Sequence, residues 1–536
     1  MNSDSLKLVG DPLEPYSGSW GESEAAYLLR RAMYGPKLSE IHEAVRDGLS
    51  ATIDRLFEPM PVPAPPINYV FTGDPTIPVG TTWVDKPYRV QDDENYRIQS
   101  LNAWYIHNKL SDTVNIQEKL NLFWVNHFGM SGVIDHRAQY KTIELFYTYG
   151  SGHFGTLLEQ ITVDPGMLQF LDGEVNHRNN PNENYARELL ELYTIQKGVQ
   201  IGGGDYSNYT EQDVAAAARI LTGWRNYDFV FSDNDTPVDS YFDSSYHDEG
   251  EKIMSYHFGN RVISNQGEEE YRVLISLILE QEETAYAISR ELYRYFVYSE
   301  IPEEVEQTVI ACMANRLLSN GYNIGTVLKE LLGSQHFFDL SFRGAMIKNP
   351  YEFVLGVVRP LGGYDHLNLT TNIHYQMGSQ LSNLISTMNM SFLFSPTVSG
   401  WRAYYDSPGY TRNWVSPVLL QRRREFSDGV TSPHFHTNNY LLPLDLIGFF
   451  SSLETPGDVN NLIDQLILLF LPKRPSPFRV SILQEQILEG LPAFTWLELY
   501  ADFISNPNDE EISNLIERRV RRLLQAIFNM AEFQLQ

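Results

Sequence analysis

The sequence lacks the features that mark disulfide-bonded, zinc-binding and membrane-spanning proteins. It has 536 residues but one cysteine, Cys312, so an internal disulfide and a Cys-x-x-Cys zinc site are both excluded. No uncharged apolar run reaches the roughly 18 residues of a membrane span. The amino-terminal segment has no apolar stretch long enough for a signal peptide. We therefore expect a cytoplasmic protein with no membrane span, in which Cys312 is a buried thiol.

Basic residues are also scarce. The chain has 40 Lys and Arg against 68 Asp and Glu, which gives a net charge of −28 and a pI near 4.8. Nucleic acids and anionic membranes bind surfaces rich in Lys and Arg, so we expect no nucleic-acid partner. An acidic surface would instead tolerate cationic or neutral ligands. The 32 tyrosines are typical either of a sugar-binding surface or of an ordinary polar-aromatic one.

Helical periodicity dominates the chain and predicts an all-α fold. Amphipathic patterns cover 23–57 as two helices, and the proline-rich segment 59–66 then begins a long loop that reaches to about residue 90. Helical patterns resume over 92–225, 268–340 and about 438–536, and Thr210 with Asp213 is a capping-box pattern that opens one helix. Residues 226–266 break the period with Asp, Ser and aromatic residues, which predicts an irregular loop region with a minor β-hairpin. We expect one large multi-helix fold over 1–536, with long ordered loops. Its helical core is predicted at about 92–225 and its carboxyl-terminal helical part at about 438–536.

Four segments carry side chains suited to acid–base or ligand chemistry. His127 ends the apolar pattern NLFWVNHFG, and Asp172 lies in the turn-rich segment LDGEVNHRNN. The helix PNENYARELLELYT follows at 181–194, and His247-Asp248 opens HDEGEK. Each segment also has an ordinary structural explanation. A histidine among aromatics is often a satisfied core residue, and Asp in a turn bonds its own backbone.

The helix predicted at 181–194 is amphipathic. Its apolar face consists of Ala186, Leu189, Leu190 and Tyr193. The opposite stripe is polar and consists of Glu183, Asn184, Arg187, Glu188, Glu191 and Thr194. Such a stripe is either a solvated face stabilised by i,i+4 pairs or one wall of a site.

Several ordered motifs resemble the bacterial domain of unknown function 1800 family over nearly the whole chain. They are FWVNHFG (123–129), MLQFLDG (167–173), PNENYARELLELYT (181–194), YTEQDVAAAARILTGW (209–224), HDEGEK (247–252), KNPYEFVLGVVRPLGG (348–363) and PTVSGWRAYYDSP…RNWVSPVLLQRR (396–423). The resemblance implies no assigned activity. It implies a partner, because members are often encoded beside a sulfatase-like uncharacterised family, number 1501.

The resemblance falls strongly on polar residues, which suggests a site or a demanding polar core. One interpretation is a hydrolase or transferase. Its catalytic residues would be His127, Asp172, Glu188, His247 and Asp248, and its ligand-binding residues Asn182, Glu183, Asn184, Arg187, Trp224 and Trp401. The carboxylates could also hold a divalent cation. The second interpretation is a non-catalytic binding or assembly subunit that uses Tyr/Trp-rich loops, including Trp401 to Tyr405, as an interface or glycan surface. The third is a polar core without a ligand.

No established catalytic signature decides between these interpretations, so the sequence leaves open whether the chain is an enzyme. Geometry can separate them. We expect the helix at 119–129 to pack against 181–196 and to bring His127 near Asp172 or Glu183–Glu188. We also expect the loop 226–256 to fold over this cluster as a lid that contributes His247 or Asp248.

Overall fold

The structure, a computed structural model, describes residues 10–89, 93–111, 113–230, 232–363, 370–401, 412–432, 436–437, 440–441 and 444–536. It is 56% helical, and its strands form short antiparallel pairs. The prediction of an all-α fold with a minor hairpin region is therefore confirmed. None of the helices in these ranges combines the length and the apolar character needed to cross a membrane.

Three helices open the described chain, where the sequence pattern predicted two. They are α1 (Glu22–Ala32), α2 (Leu38–Asp47) and α3 (Leu49–Leu56). Gly48 separates α2 from α3 because its φ of +86° lies outside the helical region and is accessible to glycine. An extended loop then runs to residue 89, as the proline-rich segment 59–66 predicted.

Seven helices between residues 93 and 220 carry most of the motifs. They are α4 (Asp93–Lys109), α5 (Gln117–His127), α6 (His136–Tyr149), α7 (Phe154–Thr162), α8 (Pro165–Phe170), α9 (Glu183–Glu191) and α10 (Glu211–Ile220). Side-chain caps fix several starts. The capping box predicted for Thr210 and Asp213 is present at α10. At α9 the cap is Asn182, which accepts from the Asn184 amide, so the helix begins later than Pro181.

The segment 200–263 contains the short strands. They are β1 (Gln200–Gly202), β2 (Asp205–Tyr206), β3 (Trp224–Asn226), β4 (Ser240–Phe242), β5 (Lys252–Ile253) and β6 (Val262–Ile263). They pair as β1–β2, β3–β4 and β5–β6. The β3–β4 register places Trp224 opposite Phe242 and Asn226 opposite Ser240. The predicted hairpin within 226–266 is thus β3–β4, shifted to begin at Trp224.

The described part of the chain after residue 263 is mainly helical, with one further strand pair. Its elements are α11 (Glu270–Leu279), α12 (Glu282–Phe296), α13 (Glu303–Val305), α14 (Ala311–Ser319), α15 (Ile324–Leu332), α16 (Pro350–Val358), α17 (Thr371–Thr387), α18 (Pro417–Val430), β7 (His436–Thr437), β8 (Tyr440–Leu441), α19 (Leu446–Ser451), α20 (Val459–Phe470), α21 (Pro477–Leu488), α22 (Ala493–Ser505) and α23 (Glu510–Phe528). A π turn, Glu306–Ile310, joins α13 to α14.

Buried apolar side chains from Leu13 to Phe533 form one continuous cluster. The helices α4 and α17 make extensive contact, and α9 packs mainly on α10. Cys312 is only partly buried, and its thiol lies 3.5 Å from the Asp11 carboxylate, so the expectation of a fully buried thiol was wrong. The division into a core at 92–225, a loop region at 226–266 and a carboxyl-terminal part stays a prediction.

A buried ion pair joins the amino-terminal helices to the second half of the chain. Arg359 donates to both carboxylate oxygens of Glu40, at 2.8 and 2.6 Å, and to the carbonyl of Gly35 at 2.7 Å. Both side chains are buried, with residue exposures of 2% and 7%. Removing one member of such a pair leaves the other charge buried without compensation.

We therefore expect Arg359→Met to lower the free energy of unfolding by about 3–5 kcal/mol. Chemical denaturation followed by circular dichroism measures this. The matched control is Arg412→Met, because Arg412 and Glu300 form a solvent-exposed pair at 2.9 Å. Its cost should stay within about 1 kcal/mol. Equal effects of the two substitutions would contradict the structural role given to the Arg359 pair.

Candidate functional site

Two chain segments, 126–129 and 398–401, cross in direct backbone contact. Gly129 has φ of +59°, and a Cβ there would collide with the Val398 carbonyl. Gly400 has φ of +84°, and a Cβ there would collide with the Asn126 carbonyl. The Asn126 Oδ1 also accepts from the Trp401 amide at 3.0 Å. Both glycines are therefore required, which explains why NHFG and SGW stand among the family motifs.

The carboxyl end of α9 joins the same crossing through Tyr193. Its hydroxyl lies 3.2 Å from the Phe128 carbonyl and 3.4 Å from that of Val398. Its own carbonyl lies 3.2 Å from Nε2 of His127. The expected meeting of α5 with 181–196 therefore occurs where the two helices end.

His127 is held as a neutral imidazole at this junction. The rings of Phe123, Trp124 and Phe128 surround it, with centroids 4.9 to 5.9 Å away. Burial lowers its pKa to about 4, and the hydrogen bond to Tyr193 offsets only part of that effect. A carbonyl can only accept, so Nε2 carries the proton and Nδ1 is left as an acceptor. Within the described residues, the hydrogen bond of this ring is the one from Nε2 to Tyr193.

A cleft of about 820 Å³ opens beside His127. Its walls are the end of α5, the end of α9 with the loop that follows, α12, the segment 301–306 and the 396–401 crossing. The polar residues that line it are Asn126, His127, Glu191, Gln196, Lys197, Asn208, Glu283, Arg290, Glu291, Arg294, Glu303, Glu306 and Ser399. The volume lies within the range of small-molecule sites.

Arg290 organises the wall formed by α12. Its guanidinium donates to Glu306 at 2.6 and 2.8 Å and to Glu283 at 2.5 Å. Next to it, Glu291 pairs with Arg294 at 2.9 Å. Burial raises the pKa of Glu291 despite that pair, because desolvation penalises its charged form. The cleft thus holds a neutral imidazole and a carboxyl group that is more easily protonated than usual.

The opposite wall and the rim add two further features. Glu191 lies 3.2 Å from Lys197 and accepts from the Tyr209 hydroxyl at 2.7 Å. Glu306 is the first residue of the π turn that joins α13 to α14. Such turns are frequent at functional sites because they displace side chains from the regular helical stripe.

Most polar residues of the predicted α9 stripe have structural partners. Arg187 binds Glu211 through both nitrogens, at 2.9 and 2.6 Å, and Glu183 at 3.1 Å. Asn182 caps the helix, and Asn184 donates to the Leu171 carbonyl at 3.2 Å. None of these side chains lines the cleft. Their prediction as ligand-binding residues has no support in that geometry.

Glu188 and Asp172 also lie off the cleft lining. Glu188 is half-buried on α9, and its pKa is raised by burial and then by Glu191. Asp172 is exposed and adopts φ of +56° at a turn. This agrees with its structural explanation, that of an Asp in a turn. The partner of His127 is the Tyr193 carbonyl and not Asp172 or a carboxylate of Glu183–Glu188. The reason is that α5 meets the end of α9 and not its charged beginning.

His247 belongs to a buried polar cluster elsewhere. Its Nε2 lies 3.1 Å from Glu270 Oε1, and its Nδ1 lies 2.8 Å from the Thr222 carbonyl. Lys252 donates to the other Glu270 oxygen at 2.6 Å. His247, Lys252 and Glu270 have residue exposures of 1%, 0% and 0%. Burial opposes ionisation of Glu270, but the donors from His247 and Lys252 outweigh it and lower its pKa.

Asp248 completes this cluster at its edge. Its carboxylate binds Arg219 at 2.7 and 3.0 Å, and its amide donates to the Thr222 hydroxyl at 2.8 Å. Described residues of 226–256 contribute nothing to the lining of the His127 cleft. The predicted lid is therefore wrong: the loop uses His247 and Asp248 to fasten itself to α10 and α11.

The two predicted tryptophans are packing residues. Trp401 is 1% exposed and part of the core, which removes it from an aromatic binding surface. Trp224 is half-buried on β3, edge-on to Phe242 and Tyr271 at 5.7 and 5.3 Å. Residues 402–405, proposed with Trp401 as an interface, lie outside the described residues.

The sequence interpretation missed the α12 residues of the cleft, Glu283, Arg290, Glu291 and Arg294. In sequence their charges are indistinguishable from a solvated helix face. The one available signal was the alternation of Arg and Glu among the aromatics of RELYRYF. In the described part of the chain, no three His, Cys, Asp or Glu side chains form a group that could hold a metal ion.

The buried cluster around His247 generates a direct test. We expect His247→Ala to destabilise the protein by about 1–3 kcal/mol, because Glu270 loses a donor inside the core. Thermal unfolding measures this, with His177→Ala as the control, since His177 is only partly buried and lies outside both sites. An unchanged melting temperature in His247→Ala would contradict the structural role of His247 and would again favour a lid.

Comparison with known proteins adds a family and no activity. No curated protein and no solved structure matches the chain. One family model matches residues 27–535, nearly the whole length, and its description is "Protein of unknown function (DUF1800)". The motifs that build the cleft, NHFG, ELLELYT and SGW, all lie inside the matched range. The chain is therefore a member of the DUF1800 family.

Proposed function

We propose that the His127 cleft is a ligand-binding site and that the chain acts there as a hydrolase, with His127 as the proton acceptor. One observation carries the proposal. His127, whose pKa burial lowers to about 4, lines a cleft of about 820 Å³ and uses only Nε2 for its hydrogen bond to Tyr193. A neutral imidazole can accept a proton, which is what a general base must do.

The charges of the cleft indicate a cationic or neutral substrate. Five glutamates line it against one lysine and two arginines. The carboxyl ends of α5 and α9 also lie at this cleft, and helix carboxyl ends carry partial negative charge. Phosphate and sulfate monoesters would be repelled, whereas amines and neutral polar molecules would be accommodated.

The proposed reaction is a water-dependent bond cleavage. His127 Nδ1 accepts a proton from a water molecule, whose oxygen forms a bond to the electrophilic atom of the substrate. Glu291, whose pKa burial raises, would be the group that donates a proton to the leaving group as the scissile bond breaks. Arg290 positions Glu283 and Glu306 at the rim, where they would contact the substrate.

The family resemblance adds a partner to this proposal. A sulfatase-like protein of family 1501 would act together with this chain. The two proteins would act on substrates of different charge. Sulfatase-like enzymes act on anionic esters, whereas the acidic cleft of this chain disfavours them.

The alternative function is a non-catalytic binding subunit, and exposed tyrosines favour it. Tyr227, Tyr241, Tyr246 and Tyr256 are 36–54% exposed, all within 226–256. The rings of Tyr227 and Tyr241 lie 4.6 Å apart, and the Arg225 guanidinium lies over Tyr246. Such rings could stack on sugars or on a protein partner.

A panel of chromogenic substrates distinguishes the two. It comprises lysine p-nitroanilide, p-nitrophenyl acetate, p-nitrophenyl glucoside and p-nitrophenyl phosphate. We expect turnover of a cationic or neutral member. Its rate should rise with pH through about 4, because His127 must lose its proton to act, and should fall again at higher pH as Glu291 loses the proton that it donates. We expect His127→Gln to lower kcat by about 100-fold or more.

His177→Gln is the matched control and should keep full activity, because His177 lies outside the cleft. Equal loss in both variants, or full activity in His127→Gln, would contradict the proposal. Glycan binding that disappears in Tyr227→Ala, with no turnover of any substrate, would establish the alternative.

A further inference from the structure

The helix α22 exposes a row of large apolar side chains. Phe494, Leu497 and Ile504 are 61%, 54% and 55% exposed, and Leu491 just before the helix is 43% exposed. At about 100° per residue, Phe494, Leu497, Ala501 and Ile504 fall within one narrow stripe. We call this row, Leu491 to Ile504, the α22 stripe. Contiguous exposed apolar surface of this kind marks interaction sites.

The opposite face of α22 already performs the packing that the fold requires. Trp496 is 0% exposed and Phe503 is 7% exposed. Their rings lie 5.9 and 6.5 Å from that of Phe450 on α19. The side chains of the α22 stripe are therefore not needed to anchor the helix to the rest of the fold. A helix that is apolar on both faces is normally covered on both.

The surroundings of the α22 stripe are acidic. From residue 480 to residue 517 the sequence contains eight Asp and Glu and no Lys or Arg. Glu498 and Asp502 are exposed and follow one edge of the stripe. The four arginines of 518–522 on α23 each lie within 4 Å of a glutamate: Arg518, Arg519 and Arg522 pair with Glu489, and Arg521 pairs with Glu517.

We propose that the α22 stripe is a docking site for an amphipathic helix with basic flanks on another protein. Apolar side chains of that helix would cover Phe494, Leu497 and Ile504, and its Lys or Arg residues would face Glu498 and Asp502. A second copy of this chain fits less well because it would oppose one acidic flank with another. An anionic membrane is disfavoured by the same charges.

The test uses an 18-residue leucine–lysine peptide with helical period as the probe and the full chain as the receptor. We expect saturable binding by fluorescence anisotropy, weakened at least tenfold by Leu497→Glu. Leu497→Glu is the decisive variant. It adds a negative charge, so purely electrostatic binding of the cationic peptide would be unchanged or tighter. Glu498→Lys with Asp502→Lys should also weaken binding and flatten its salt dependence.

The matched control is Val418→Glu, since Val418 on α18 is 66% exposed and lies outside the α22 stripe. It should bind the peptide as the unmodified protein does, and circular dichroism should show native helix content in every variant. Unchanged binding in Leu497→Glu would overturn the proposal, and so would equal binding of a leucine–glutamate peptide. A dimer in light scattering that Leu497→Glu abolishes would assign the stripe to a second copy instead, and binding of phosphatidylserine vesicles would assign it to a membrane.

Discussion

The crossing of 126–129 with 398–401 is the constraint on which the site depends. Two segments some 270 residues apart approach so closely that Gly129 and Gly400 each leave no room for a side chain. Tyr193 joins them through bonds to two carbonyls of the crossing. The carboxyl ends of α5 and α9 are thereby fixed side by side, and the space left against α12 becomes the cleft. A larger residue at either glycine would push the walls of the cleft apart, although it would not alter any of the charged side chains that line them.

Two polar clusters with different chemistry contact this part of the fold, one at the end of α9 and one between α10 and α11. Around Glu270 every charged group has its partner, and burial is close to complete. Such saturation stabilises a loop but leaves no atom free for a ligand. At His127 the ring hydrogen-bonds a backbone carbonyl through Nε2, and the residue lines the cleft. The contrast separates a structural histidine from a candidate catalytic one, although both occur in family motifs.

The sequence predicted the helices, the Thr210 capping box and the hairpin region, because these depend on local pattern. It failed where a role depends on long-range contact. The polar stripe of α9 looked like one wall of a site, yet Arg187 turns to Glu211 on α10. His247 looked like a loop residue at a pocket edge, yet Glu270, 23 residues further on, draws it into the core. The wall formed by Arg290 and Glu291 is visible only once α12 is placed against the end of α9.

The central claim is that His127 is neutral and open to the cleft, and its titration by nuclear magnetic resonance tests this most directly. The Hε1 resonance would be assigned by its loss in His127→Gln and followed from pH 3 to pH 8. The account predicts a midpoint at about pH 4, because burial among Phe123, Trp124 and Phe128 disfavours the imidazolium. A midpoint near 6.5, the value of a freely hydrated histidine, would contradict it.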